Sequence, residues 1–165
     1  MYIDKWWGRF IGGTDDALLL ADYLGDKAGA PVSLKEILDD LHLRAPLAGG
    51  LKGDADPYFI AGTQRSLEPH FDLVEDVVTD LAAIVLECVK NGGVELGDLF
   101  KSRQGQGRVE ITVSGCPEAL QLLVNGLEAF IADPAGFVIS EFLNEKELAE
   151  FVADCREICG ELNRR

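Results

Sequence analysis

A thiol at a helix N-terminus is the setting that lowers a cysteine pKa and makes a nucleophile. Cys116, directly before a Pro117 suited to open a helix, is the one cysteine of this sequence so placed. A cysteine nucleophile also needs a base, and neither His42 nor His70 stands at a spacing that pairs it with Cys116. The adjacent carboxylates Asp15-Asp16 and Asp39-Asp40 invite an acid/base reading, but neighbours on a helix point in different directions, and Asp15 and Asp16 suit the first turn of a helix. Gly105-Gln106-Gly107 precedes a strand pattern rather than joining a strand to a helix, so it lacks the context of a phosphate-binding turn and reads as a loop beside Ser102, Arg103 and Gln104. A metal site needs ligands at recognisable spacing, and the two histidines show none with the four cysteines. No catalytic residue, metal ligand or cofactor site is assigned, and a non-catalytic protein is expected.

The cysteines fit burial better than bonding. Leu148, Phe151, Val152, Cys155, Ile158, Cys159 and Leu162 recur at helical intervals and trace one apolar face. Cys88 falls among Val77, Leu81, Ile84 and Val85 on the inner side of another helix, where a reduced thiol acts as a small hydrophobe. Disulfides are therefore not expected.

Charge dominates what remains. The 165 residues carry 29 Asp and Glu against 15 Lys and Arg, a formal net charge of -14. Such a field repels phosphate backbones and anionic lipid and gathers cationic partners, so nucleic acid and membranes are excluded as expected ligands and a protein partner is favoured. The acids are also patterned. Glu147, Glu150, Asp154, Glu157 and Glu161 form a stripe opposite the apolar face of the last helix, Asp72, Asp76, Asp80 and Glu87 share a face of a central helix, and Asp15, Asp22 and Asp26 share one on the first. Like charges at this spacing cost roughly 0.2–0.5 kcal/mol per neighbouring pair. Only Lys146 and Arg156 intervene in the last helix, and a cationic partner would remove the penalty. A solvated surface explains any one stripe equally simply.

The elements that position these residues follow from caps and periodicity. Thr14 caps a helix over 15–27, and Ser33 to Glu36 form a capping box for a short helix to about residue 41. Residues 44–56 read as a Gly-rich loop, 57–63 as a strand entered at Pro57, and 72–90 as the central helix, stopped by Asn91-Gly92-Gly93. Residues 108–114 alternate as a half-buried strand, Pro117 opens a helix to 132, Asp133-Pro134 ends it, 137–142 read as a strand, and the final helix starts at Glu145. The sum is an α+β fold, a single domain over 1–165, with a small mixed sheet of about three or four strands covered by about five helices. The first ten residues contain no apolar signal core, and the longest apolar run, 81–86, is far shorter than the roughly 20 residues that span a bilayer, so a soluble cytoplasmic protein is expected.

The N-terminal run Trp6-Trp7-Gly8-Arg9-Phe10-Ile11-Gly12-Gly13-Thr14-Asp15-Asp16, followed by Leu20, Asp22, Tyr23 and Leu24, is unusual. In a strand the two tryptophans would face opposite sides, one in the core and one free as a contact anchor; burial of both is the plainer alternative. Over about 25 residues the run resembles the start of bacterial immunity proteins of polymorphic toxin and contact-dependent inhibition systems. That resemblance implies a cytosolic antidote that binds one cognate toxin domain and blocks its active site. A toxin acting on nucleic acid carries a basic cleft, which acidic helices would cover. The expected contact residues are Asp72, Asp76, Asp80, Glu147, Glu150, Asp154, Glu157 and Glu161, with Trp6 or Trp7 at the edge. An acidic regulatory or scaffold domain that binds another cytosolic protein, and a small enzyme of unrecognised type, remain open alternatives.

Overall fold

The structure, a computed structural model, describes residues 1–52, 59–60, 70–101 and 107–164. Thr14 accepts from the Ala17 amide and starts α1 (Asp15–Asp26). Ser33 accepts from Glu36 and starts α2 (Leu34–Asp40), but the reciprocal half of the expected box is absent because the Glu36 carboxylate pairs with Lys27 at 2.8 Å. The expected loop after residue 43 begins instead as a short helix, α3 (Arg44–Ala48), because Leu47 is drawn into the core. The remainder of that loop from 53, and most of the strand expected over 57–63, lie outside the described residues, as does 102–106.

The central helix is α4 (Val74–Asn91), stopped where Gly92 takes φ 75° and its amide donates to the Cys88 carbonyl at 2.8 Å. Every residue of α4 from Glu75 to Cys88 is buried. The helix is wrapped on all sides, packing against α1, α6 (Pro117–Ala132), α7 (Glu145–Leu162) and an N-terminal 3-10 helix (Tyr2–Lys5). Around it, α6 and α7 form a hairpin whose apolar faces meet at Phe130 and Phe151, with ring centroids 5.1 Å apart. All four cysteines are free and buried, Cys155 and Cys159 on the α7 face that the periodicity marks.

Strand content is smaller and more divided than a single mixed sheet. Among the described residues, six strands of two residues each form three separate ladders. β1 (Val32–Ser33) runs parallel to β6 (Ile111–Thr112), β2 (Phe59–Ile60) antiparallel to β3 (His70–Phe71), and β4 (Val94–Glu95) antiparallel to β5 (Arg108–Val109). The alternation expected over 108–114 is present, with Val109 and Ile111 buried, but the strand breaks at Glu110 because its halves serve two different partners. A short helix, α5 (Leu96–Leu99), follows β4.

Two further expectations are overturned. Residues 137–142 are not a strand: two 3-10 turns, Pro134–Gly136 and Val138–Glu141, link α6 to α7. Phe137 packs edge-on against Phe130 at 5.2 Å, and the Ile139 amide donates to the Glu75 carboxylate at 3.0 Å instead of to a strand. Nor do the tryptophans sit in a strand, since Trp6 caps the N-terminal 3-10 helix and Trp7 makes only an isolated bridge to Ile11. The fold remains broadly α+β, dominated by helices.

Candidate partner-binding surface

The acidic face expected on α4 is an internal one. Of its four members only Asp72 is exposed, whereas Asp76, Asp80 and Glu87 are buried to 3%, 1% and 1% exposure. Asp76 and Asp80 are therefore corrected as contact candidates. The reason is that α4 has no solvent side, so its carboxylates serve backbone amides of the segments laid over it. Glu87 accepts from Ile3 at 2.7 Å, Asp80 from Gly12 at 2.7 Å and Glu75 from Ile139 at 3.0 Å. Asp16 on α1 does the same for the start of α4, accepting from the Asp72 and Leu73 amides at 2.8 Å each and supplying the cap that Leu73 cannot.

These buried acids raise one another. Burial pushes Asp76 up to about 7, reinforced by Asp16 and Glu75 and opposed by the Thr14 hydroxyl. Asp80 is driven well above the carboxylate range by burial, then by Asp76, against the Gly12 hydrogen bond. Asp16 and Glu75 are raised for the same first cause. Asp76 Oδ1 and Asp80 Oδ2 find no hydrogen-bond partner. Among the described residues no group of three or more side chains is arranged to hold a metal ion.

The α7 stripe is also largely occupied, and by the chain's own cations. Glu147 closes a capping box with Asn144, each amide donating to the other's side chain at 3.0 Å. Arg9 approaches Glu150 at 2.5 Å, Lys5 pairs with Glu157, and Lys90 donates to Glu161 at 2.6 Å. Lys5 and Lys90 accordingly hold Glu157 and Glu161 below the usual carboxylate range. Asp154, between them, is half-buried and raised by desolvation. The N-terminal segment that delivers Lys5 and Arg9 is fastened by aromatics: Phe10 stacks on Phe151 at 5.6 Å, and Trp6 Nε1 donates to Glu157 at 3.1 Å. The cations that answer the stripe thus come largely from positions 71 to 152 residues away in sequence, which helical spacing on α7 cannot show.

Neither tryptophan is a free anchor. Trp6 is 3% exposed beside Tyr2, and half-buried Trp7 packs edge-on against Phe100 at 5.3 Å while its Nε1 donates to the Leu99 carbonyl at 3.2 Å. Cys116 does cap the N-terminus of α6, but it is buried and its thiol lies against the Thr112 and Val113 carbonyls.

Removing acids that are buried, capped or ion-paired leaves a short set of exposed ones with no ion pair among the described residues. Asp15 and Asp72 lie at the starts of α1 and α4, where the helix dipole favours them, and Asp26 and Asp98 stand apart. The other four, Glu128, Asp133, Glu141 and Glu145, fall together where α6 ends and α7 begins. In the same corner Phe142 is 72% exposed, and a cavity of about 310 Å³ lies between Pro134, Glu145, Leu148, Ala149, Val152 and Arg156. Sequence reasoning missed this corner because assigning 137–142 to a strand makes Phe142 a sheet residue.

No helix among the described residues is long and apolar enough to cross a membrane. Neither the curated proteins nor the solved structures contain a match. The profile of a protein family does match, over residues 2–162, from the first 3-10 helix to the last residue of α7. That family is Immunity protein 68, and the chain belongs to it.

Proposed function

We propose that the chain is the antidote of a toxin system: it binds one cognate toxin domain in the cytoplasm of the producing cell and keeps that domain inactive by covering its active-site region. The observation that carries this reading is the family match along nearly the whole chain. The charge of -14 supports the finer part, a basic toxin surface, because a field of that size speeds encounter with a cationic partner. Within the initial candidates, Asp72 and the solvent-facing edges of Glu150, Asp154, Glu157 and Glu161 contribute to this field. Their role is steering. Cys88 and Cys155 are poor nucleophiles, since burial pushes the first thiol up to about 11 and the second well above its ordinary value.

The test is co-expression. The cognate toxin domain, sought among the products of neighbouring genes, is induced alone and together with the chain, and growth is followed. Restored growth, with a complex of the two proteins on gel filtration that weakens as salt rises, is the expected result. Continued arrest with the chain present in soluble form would refute the antidote reading.

A further inference from the structure

We infer that the toxin docks on the corner between α6 and α7, with Phe142 as the apolar anchor and Asp133, Glu141 and Glu145 as its acidic rim. The inference rests on the antidote reading for the identity of the partner and adds the surface that reading leaves open. Three observations converge there. Phe142 is 72% exposed; the only other large hydrophobic side chain so exposed among the described residues is Met1, at 43%. An aromatic side chain held out to solvent has the character of an interface hot spot. The cavity of about 310 Å³ opens three residues further on, at Glu145, with Leu148, Ala149 and Val152 forming its apolar wall.

Charge identifies the occupant. Between residues 128 and 149 five acids, Glu128, Asp133, Glu141, Glu145 and Glu147, face a single base, Lys146. Asp133 is the C-cap of α6, whose last turn has no basic residue, so this carboxylate adds to the negative end of the helix dipole instead of opposing it. Elsewhere many acids are answered by Lys5, Arg9, Lys27, Lys35, Arg44 or Lys90, and the exposed ones without an ion pair, Asp15, Asp26, Asp72 and Asp98, are spread over α1, α5 and the start of α4 instead of gathered in one stretch. At this corner the chain's own cations are Lys146 and Arg156, the latter lining the cavity with Glu145, so the corner keeps a net negative charge that a cationic partner would answer. Phosphate polymers and anionic lipid have the wrong sign, leaving a basic protein surface with an apolar recess for the Phe142 ring.

The probe is the toxin domain that the co-expression test identifies, purified as a catalytically dead variant, and binding is followed by surface plasmon resonance with the intact chain. Phe142→Ala should weaken Kd about 30-fold or more, mostly through faster dissociation, with an unchanged melting temperature because the ring is not part of the core. Glu141→Lys should slow association about 10-fold at low salt, and the deficit should vanish at high salt. Asp26→Lys, an equal charge reversal at the far end of α1, serves as the control and should have a several-fold smaller effect. If the wild type binds while Phe142→Ala and Glu141→Lys stay within about 3-fold of it, the surface is refuted and the antidote reading survives. If the wild type does not bind the toxin, that reading fails and the partner assigned here fails with it. If the chain instead forms a dimer on sedimentation that Phe142→Ala dissolves, the occupant is a second copy and the inference is overturned.

Discussion

The carboxylates beneath the N-terminal segment make an unusual prediction about pH. Asp76 is ionised at about pH 3.8 in an unfolded chain and at about 7 in the folded one, because burial, Asp16 and Glu75 all disfavour its charge. The folded state therefore holds more protons than the unfolded state throughout that interval, and stability must fall as pH rises through it. Roughly three pKa units correspond to about 4 kcal/mol at 1.36 kcal/mol per unit. Asp80, packed beside it, adds to the same trend. Asp39, Asp40, Glu157 and Glu161 act with the opposite sign, since Lys35, Lys27, Lys5 and Lys90 hold them low; their contribution is lost only below about pH 4 and is small for exposed pairs. The decisive variant is Asp76→Asn, which keeps size and a carbonyl oxygen for Thr14 but is neutral at every pH. Allowing about 1–2 kcal/mol for a buried amide donor that lacks an acceptor, the variant should be about 2–3 kcal/mol more stable than wild type near pH 8 and no more stable near pH 5. Urea midpoints at constant ionic strength measure this. A wild type whose stability rises between pH 5 and 8, or an Asp76→Asn variant destabilised equally at both, would refute the account of these acids as buried charges.

Two other substitutions test how the core is assembled. Asp16→Ala removes the acceptor shared by the Asp72 and Leu73 amides and should cost about 2–3 kcal/mol, seen as a melting temperature lower by about 5–10 °C. Gly126→Ala places a methyl group 2.4 Å from Leu47 Cδ2 and 3.2 Å from Val78 Cγ1, where α3 meets α6 and α4, and should cost about 1–3 kcal/mol in chemical denaturation despite alanine's better helix propensity.

Local signals were the legible ones. Thr14, Asn91-Gly92, Pro117 and the 3.6-residue spacing of Phe151, Val152, Cys155, Ile158 and Leu162 each act within a turn or two of chain, and the helices they mark form where expected. What escaped was set by distant partners. Residues 137–142 have strand composition, yet strands need neighbours, and the groups that meet this segment are the Glu75 carboxylate and the Phe130 ring. Residues 108–114 have both composition and alternation, yet β1 and β4 claim different halves. The same limit explains the acids. Periodicity shows that Asp76, Asp80 and Glu87 share a face, but not whether water, a partner or the chain's own amides lie opposite it.

The distinction alters what net charge says about binding. A charge of -14 read as a surface property implies that the longest acidic stripes are the contact, whereas here those stripes are engaged inside the molecule: α4 through buried carboxylates that accept backbone amides, α7 through Lys5, Arg9 and Lys90. Carboxylates already matched inside the molecule have little left to give a partner, because separating them from their own cations costs what a new pair returns. The acids that would lose nothing on binding are those without an internal answer, and four of them fall in the same stretch of chain, 128–145, as the exposed Phe142. Long-range attraction still depends on the whole charge, paired or not, since the field at a distance sums every group. Encounter and docking should therefore separate experimentally. Salt should act on association through the entire surface, while residence time should depend on the corner at Phe142.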